Sequence, residues 1–207
     1  MATIINIPIA VIIGFLISRN KIHGTIFLDI AVSLPMAVPP VVIGFLLLLL
    51  LGRDGPIGKI LYDLFEADIV FTWFAAVIAS SIVSFPLVAR AAITAIGEID
   101  EKLEHAARTL GASQIRVLLT ITIPLAYRGI LAGTLLGFVR AMSEFGATII
   151  VAGNIPGKTQ TIPLAIYTSV QIRDDTNAIM LTIFSITLAI LTLLVHNWLV
   201  TKTRKES

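Results

Sequence analysis

The chain has 207 residues, 57% of them hydrophobic and only 14% charged, with a net charge of +2 and a mean hydropathy of +0.96. Soluble domains run nearer half apolar and a quarter charged, disorder needs low hydrophobicity with high net charge, and nucleic-acid binding needs a basic patch that this balance lacks. With no cysteine there are no disulfides, thiolate metal sites or cysteine nucleophile, and what remains is an all-α polytopic membrane protein forming one domain over residues 1–207.

A membrane-spanning helix needs about 20 largely apolar residues to cross roughly 30 Å of hydrocarbon. Five stretches are expected to do so: residues 3–18, 27–51, 71–90, 129–152 and 178–200. The first begins almost at Met1 without a basic lead or a small-residue cleavage site, so it reads as a true span with a clipped start rather than as a signal peptide. The second contains Pro35, Pro39 and Pro40, which remove backbone donors and are expected to kink or break its first half. Asp29, near its beginning, reads as a helix cap. Trp73 and Trp198 fall near span ends, where interfacial tryptophans collect.

Between the third and fourth spans lies a patterned loop, residues 91–124. Ile99, Leu103, Ala106, Ala107 and Leu110 fall on one helical face, with Asp100, Glu101, Glu104 and Arg108 on the other. Gly111 is a natural stop for that helix, Ser113 a natural cap for a second one starting near Gln114, and Pro124 is expected to interrupt before span four. An amphipathic helix on the lipid surface would give the same pattern. However, Glu98, Asp100, Glu101 and Glu104 would be repelled by anionic lipid, so a protein partner fits better. In span four, Gly129, Gly133, Gly137 and Ala141 recur every four residues, a small-residue face for close helix packing.

The basic residues set the orientation. With five spans, the segments holding Arg19 and Lys21, then Arg90, Lys102, Arg108 and Arg116, then Lys202, Arg204 and Lys205, share one side, nine residues in all. The other side holds four: Arg53, Lys59, Lys158 and Arg173. Excess Lys and Arg mark the cytoplasmic face, so the C-terminus is expected there.

The run from Ala106-Ala107 through Gly111 to Ile121-Thr122-Ile123-Pro124 resembles the EAA loop of ABC-importer permease subunits. His105 stands at that pattern's glutamate position, with Glu104 one place before it, and Ile123 stands at its leucine. A wider stretch, Ser143 to Thr161 with Tyr167 and Gln171, together with Leu34–Pro40 and Gly52–Gly58, is similar to the molybdate branch of these permeases. Sulfate and thiosulfate permeases are near relatives, and the segment Asn154–Thr159 favours molybdate. The resemblance implies the type I ABC-importer permease fold and a multi-pass protein of the cell membrane. It implies that Glu101, Glu104, His105, Ala106, Ala107, Arg108, Gly111 and Ser113 form a coupling loop docking into a cytoplasmic ATPase. It further implies a homodimer, two ATPase subunits carrying ATP and magnesium, and an extracytoplasmic molybdate-binding protein. Tungstate, nearly isosteric with molybdate, is expected to share the path. No cofactor, catalytic group or metal site is expected in this chain.

Inside span four, Arg140 and Glu144 are four residues apart and can pair on one helix face. A bare Glu on the path of a dianion would repel it. Glu144, neutralised by Arg140 or by hydrogen bonds, is therefore expected to shape a gate with Arg140 and Ser143; a buried structural pair away from the path is the competing reading. Gly153–Thr159 looks like a phosphate-binding loop but has three residues between its glycines instead of four, so it is read as no nucleotide site. The apolar stretch 161–171 is too short to span and is expected outside, where Lys158 and Arg173 would help receive the binding protein. His23, His105 and His196 have no metal-ligand spacing. A secondary transporter would need an ionisable relay and a membrane enzyme paired carboxylates or a nucleophile in its spans; neither needs an EAA-type loop.

Overall fold

The computed structural model describes residues 1–19 and 24–206, with side chains as far as Thr201, and the regular structure in them is helical. Lys21 and His23 lie outside the described residues, as do the side chains of Lys202, Arg204 and Lys205.

The first helix, α1 (Ala2–Ser18), is apolar all round, at 17 residues short for a straight crossing. The stretch expected as a second span is two helices, α2 (Thr25–Ala37) and α3 (Pro40–Leu51), meeting at 110°. The cause is local. Val38 precedes Pro39 and Pro39 precedes Pro40, and a residue before proline is driven out of the helical region; both take extended backbone, with ψ of 134° and 135°. Pro35, by contrast, sits inside α2 without ending it.

After a glycine-rich turn comes α4 (Pro56–Phe65), an amphipathic helix that the sequence reading left unassigned. The long α5 (Trp73–Gly97) follows, capped by Thr72, whose Oγ1 accepts from the Ala75 amide. The loop beyond it holds α6 (Glu101–Thr109) and the short α7 (Gln114–Val117). A π-helical turn, Leu118–Thr122, then runs straight into α8 (Ile123–Met142). Pro124 therefore does not interrupt the chain before span four. It sits in the first turn of α8, where its missing N–H costs little, and the wider π turn ahead of it carries the helix axis through. Expected span four itself divides: α8 ends at Met142 and the short α9 (Gly146–Val151) follows a break at residues 143–145. The chain closes with α10 (Ile162–Gln171) and α11 (Asp175–Glu206). Within the described residues, α5, residues 114–142 and residues 175–201 are each long and apolar enough to cross a membrane, and the bent α2–α3 pair counts as one crossing if taken together. The expected break in the second stretch is thus present, and the fourth stretch is broken as well.

Helix α5 is the centre. Along α1, Asn6 meets Ser81 and Ser84, Gly14 meets Ala92, and Ser18 meets Ile93, so α1 and α5 run parallel. On the other flank, Gly129, Gly133 and Gly137 of α8 meet Ala95, Ala91 and Val88, so α8 runs antiparallel. A Cβ added at Gly133 would lie 2.0 Å from that of Ala91, which leaves room for hydrogen only. Helix α11 returns along α8, with His196 Nδ1 donating to the Ala132 carbonyl at 2.9 Å and Leu188 sharing a cavity with Ala141. The ends of α1, α5 and α11 and the start of α8 therefore lie together, at the end that carries α6. The outer faces of α11, from Ile179 and Ile183 to Leu194 and Trp198, stay exposed and apolar, a surface suited to lipid.

Candidate functional site

The loop at the α6 end is built from local signals. Asp100 caps α6 by accepting from the Lys102 amide at 2.9 Å. At the other end Gly111 takes φ +88°, and the Gly111 and Ala112 amides donate back to the Arg108 and Ala107 carbonyls. That is the reversed double bond of a Schellman turn, which glycine adopts without strain. Ser113 then accepts from the Arg116 amide at 3.3 Å to start α7.

On α6 one member of the charged face, Glu104, turns inward, while Asp100 and Glu101 stay exposed. Glu104 is 1% exposed, while Leu103 and Ala106 are open to solvent and Leu110 is 89% exposed. The inward face is polar because the end of α1 supplies a cation: Arg19 Nε and Nη2 donate to Glu104 Oε1 at 3.2 and 2.9 Å, and Thr122 of the π turn donates to the same oxygen at 3.0 Å. Arg108 stands 3.5 Å from the other oxygen, and Arg19 also bonds the Ile99 carbonyl and faces Glu101. Burial pushes the Glu104 carboxyl up. The hydrogen bonds from Arg19 and Thr122 and the charges of Arg19 and Arg108 outweigh it, holding the group below its ordinary value. Glu104 is thus an internal tie joining α6, α1 and the π turn, whereas Glu101, His105, Ala106, Gly111 and Ser113 lie on the surface, with Ala107 and Arg108 at its edge.

The second group lies in the break between α8 and α9. Arg140, Ser143 and Glu144 come together as expected. Arg140 Nη1 donates to Glu144 Oε2 at 2.9 Å, and Ser143 Oγ donates to the Arg140 carbonyl. Glu144 lies beyond the end of α8 and is fully buried, and its second oxygen accepts the Ala147 amide at 2.7 Å to start α9. Both carboxylate oxygens are occupied, so Glu144 presents no bare charge. Arg140 remains partly open and lines a cavity of about 150 Å³ with Pro35, Met36 and Pro40 of the α2–α3 break and Val83 and Leu87 of α5.

Asp29 does not cap α2, whose N-cap is Gly24. It lies inside the helix and grips Arg90 of α5, whose Nη1 and Nη2 donate to its two oxygens at 2.7 and 3.0 Å; Arg90 also bonds Ser33. These residues are 61 apart in sequence, and nothing in their local pattern marks the pair. Buried Asn6, donating to the Ser81 carbonyl and Ser84 Oγ, is another contact that only the fold reveals.

Gly153–Thr159 closes on itself. The Ile155 carbonyl accepts from the Lys158, Thr159 and Gln160 amides, and the Ile155 amide donates to Thr159 Oγ1. The Ile155, Lys158 and Thr159 amides are thus spent within the segment. Lys158 and Arg173 are exposed near α10, at the end opposite α6. Among the described residues no cluster of three His, Asp or Glu side chains lies together.

A sequence profile described as "Binding-protein-dependent transport system inner membrane component" matches residues 6–205. The molybdenum transport system permease protein of Haemophilus influenzae is 45% identical over 202 residues, covering 97% of this chain and 88% of that protein. A sulfate transport system permease protein of Synechococcus elongatus is 38% identical over 165 residues, covering 78% of this chain and 57% of that one. In structure, a chain of a bacterial ABC transporter that imports the acidic polysaccharide alginate superposes with a TM-score of 0.63 at 15% identity, covering 99% of this chain and 77% of that one.

Proposed function

The chain belongs to the family of binding-protein-dependent transport inner-membrane components, with the all-helical fold of the type I ABC-importer permeases, and from that premise we propose that it is the membrane subunit of an ATP-driven molybdate importer. The observation that carries this reading is α6, a helix anchored from behind by Glu104 and presenting Leu103, His105, Ala106 and Leu110 outward. An exposed apolar helix face fixed to three other elements suits a groove on a partner that must push and pull it.

In this reading two copies surround the path as a homodimer, since symmetric pairs are the commonest assemblies. Two cytoplasmic ATPase subunits, which carry ATP and magnesium, grip the α6 helices, and a molybdate-binding protein docks at the opposite end near Lys158 and Arg173. The α6 end and the C-terminus are cytoplasmic, following the basic residues. ATPase closure shifts α6, and Arg19, Thr122 and Ile99 carry that shift to α1, the π turn and the end of α5. The path then alternates between two states of different affinity for the anion. Arg140 offers the anion a cation at the break, and Glu144, kept neutral in effect by Arg140 and the Ala147 amide, sets the shape of the gate.

Molybdate is preferred because the molybdenum relative covers nearly the whole chain at 45% identity, against 38% for the sulfate relative over a shorter stretch. Tungstate is included as its near isostere, and sulfate or thiosulfate is the competing cargo. Uptake of molybdate by the reconstituted complex, competed by unlabelled tungstate or sulfate, tests the choice. Block by tungstate alone supports the proposal; block by sulfate moves the chain to the sulfate branch.

A further inference from the structure

We infer that Arg90, with Asp29 and Ser33, forms a second station for the tetrahedral oxyanion, one step closer to the α6 end than Arg140. The inference rests on the reading that this chain conducts such an anion.

Arg90 belongs to a helix apolar and long enough to span, and it lies seven residues before the end of α5 at Gly97, about 10 Å along the helix from its α6 end at 1.5 Å per residue. Its side chain is 45% exposed and that of Asp29 37%. An ion pair so open is costly against acyl chains, so charged groups on a spanning helix turn toward water or protein.

Spacing indicates which way this pair turns. On α5, Val83, Leu87 and Arg90 recur at i, i+4 and i+7, one helical face. On α2, Asp29, Ser33 and Met36 do the same. The far members of both series, Val83 and Leu87 on one side and Met36 on the other, line the cavity that Arg140 borders. The two arginines therefore stand on one continuous face, on either side of the α2–α3 break, Arg90 matched to a carboxylate 61 residues away and Arg140 to one four residues on.

The chemistry suits transit. The guanidinium fork of Arg90 holds two carboxylate oxygens side by side, and a tetrahedral oxyanion offers the same spacing of two oxygens to the same fork. An arriving anion replaces Asp29 on Arg90 without any change in the arginine's charge. Asp29, left unpaired beside it, then repels the anion and promotes its release. A station that binds weakly enough to let go is what conduction requires.

The chain contains no cysteine, so a Ser33→Cys permease, assembled with its ATPase and binding protein in lipid nanodiscs, carries one thiol in each permease copy. Modification of that thiol is followed by mass spectrometry with an anionic and a cationic methanethiosulfonate of similar size. The anionic reagent is expected to react about tenfold faster, the scale of electrostatic focusing in a charged cleft. Molybdate should slow it, and Arg90→Gln should erase the preference. Asp29→Asn should lower the molybdate concentration needed for protection. Equal rates for the two reagents, no modification with or without ATP, or modification indifferent to molybdate, as for a pair facing lipid headgroups, would overturn the inference. Leu87→Cys on the same face serves if Ser33→Cys does not assemble. Wild-type uptake is measured alongside: its absence would fault the importer reading, while charge-blind labelling beside sound uptake would fault the station alone.

Discussion

Arg19, the last described residue after α1, and Glu104, in the middle of α6, are joined by two hydrogen bonds to a single carboxylate oxygen, and both side chains are almost wholly buried at 4% and 1% exposure. The contact spans 85 residues and ties the first helix to the loop that follows the third long stretch. It turns α6 from a flexible amphipathic segment into part of a rigid corner that also includes Thr122 and Ile99.

Glu104→Ala leaves the buried Arg19 guanidinium with only the exposed Glu101 carboxylate, 3.5 Å away, as counter-charge. Removing one partner of a buried pair costs about 3–5 kcal/mol, so thermal unfolding of the purified permease should shift down strongly. A combined Arg19→Met, Glu104→Leu variant, which removes both charges, should recover most of that loss. A single variant as stable as wild type would mean that the tie does not hold the corner.

The same carboxylate gives a pH dependence. Its native value lies below the ordinary 4.5, so the folded corner favours the charged form. The stabilisation is complete above the unfolded-state value and is lost as pH falls through the lower native one. Amide-exchange protection of residues 101–109 should be flat from pH 8 to about 5 and weaken only below about 4. Glu104→Gln should flatten that acid limb; an unchanged limb would assign it to another group.

Close packing of α8 on α5 is a steric claim. Gly133→Ala places a methyl 2.0 Å from the Ala91 Cβ, and overpacking of this kind costs about 1–3 kcal/mol. Adding Ala91→Gly moves the methyl to the other helix and should restore most of the stability. If the pair of changes is merely additive, the two positions do not touch.

Leu110→Asp tests the outward face of α6. At 89% exposure the leucine holds nothing within the chain, so permease stability should stay within about 0.5 kcal/mol while ATPase co-purification falls. Retained co-purification would place the docking surface elsewhere.

Glu144→Gln keeps the size of the side chain and an oxygen for the Ala147 amide, but leaves Arg140 unbalanced. The expected result is ATP hydrolysis that no longer follows substrate. Transport and coupling both at wild-type levels would return Arg140–Glu144 to a purely structural role.

What the sequence made legible was local. Gly111 and Ser113 mark the turn and cap of the loop because each acts through its nearest amides, and the Arg140–Glu144 spacing gave the pairing because four residues is one helical turn. The i, i+4 glycines of α8 likewise foretold close packing without naming α5 as the neighbour. Asp29–Arg90 and Arg19–Glu104 join residues dozens of positions apart, so no periodicity carries them. The burial of Glu104 has the same origin: an apolar residue ordinarily turns inward, but here a buried arginine from α1 draws one carboxylate of α6 inward while Asp100 and Glu101 stay exposed. The 110° bend was half legible, since Pro39 and Pro40 announced a break while its angle depends on two successive extended residues.

The most direct measurement of the central claim is oxyanion uptake into proteoliposomes holding the permease, its ATPase and its binding protein, driven by ATP or by an imposed ion gradient. The account predicts uptake that requires ATP and binding protein, ignores the gradient, and disappears with Leu110→Asp. Uptake driven by the gradient without ATP would contradict it.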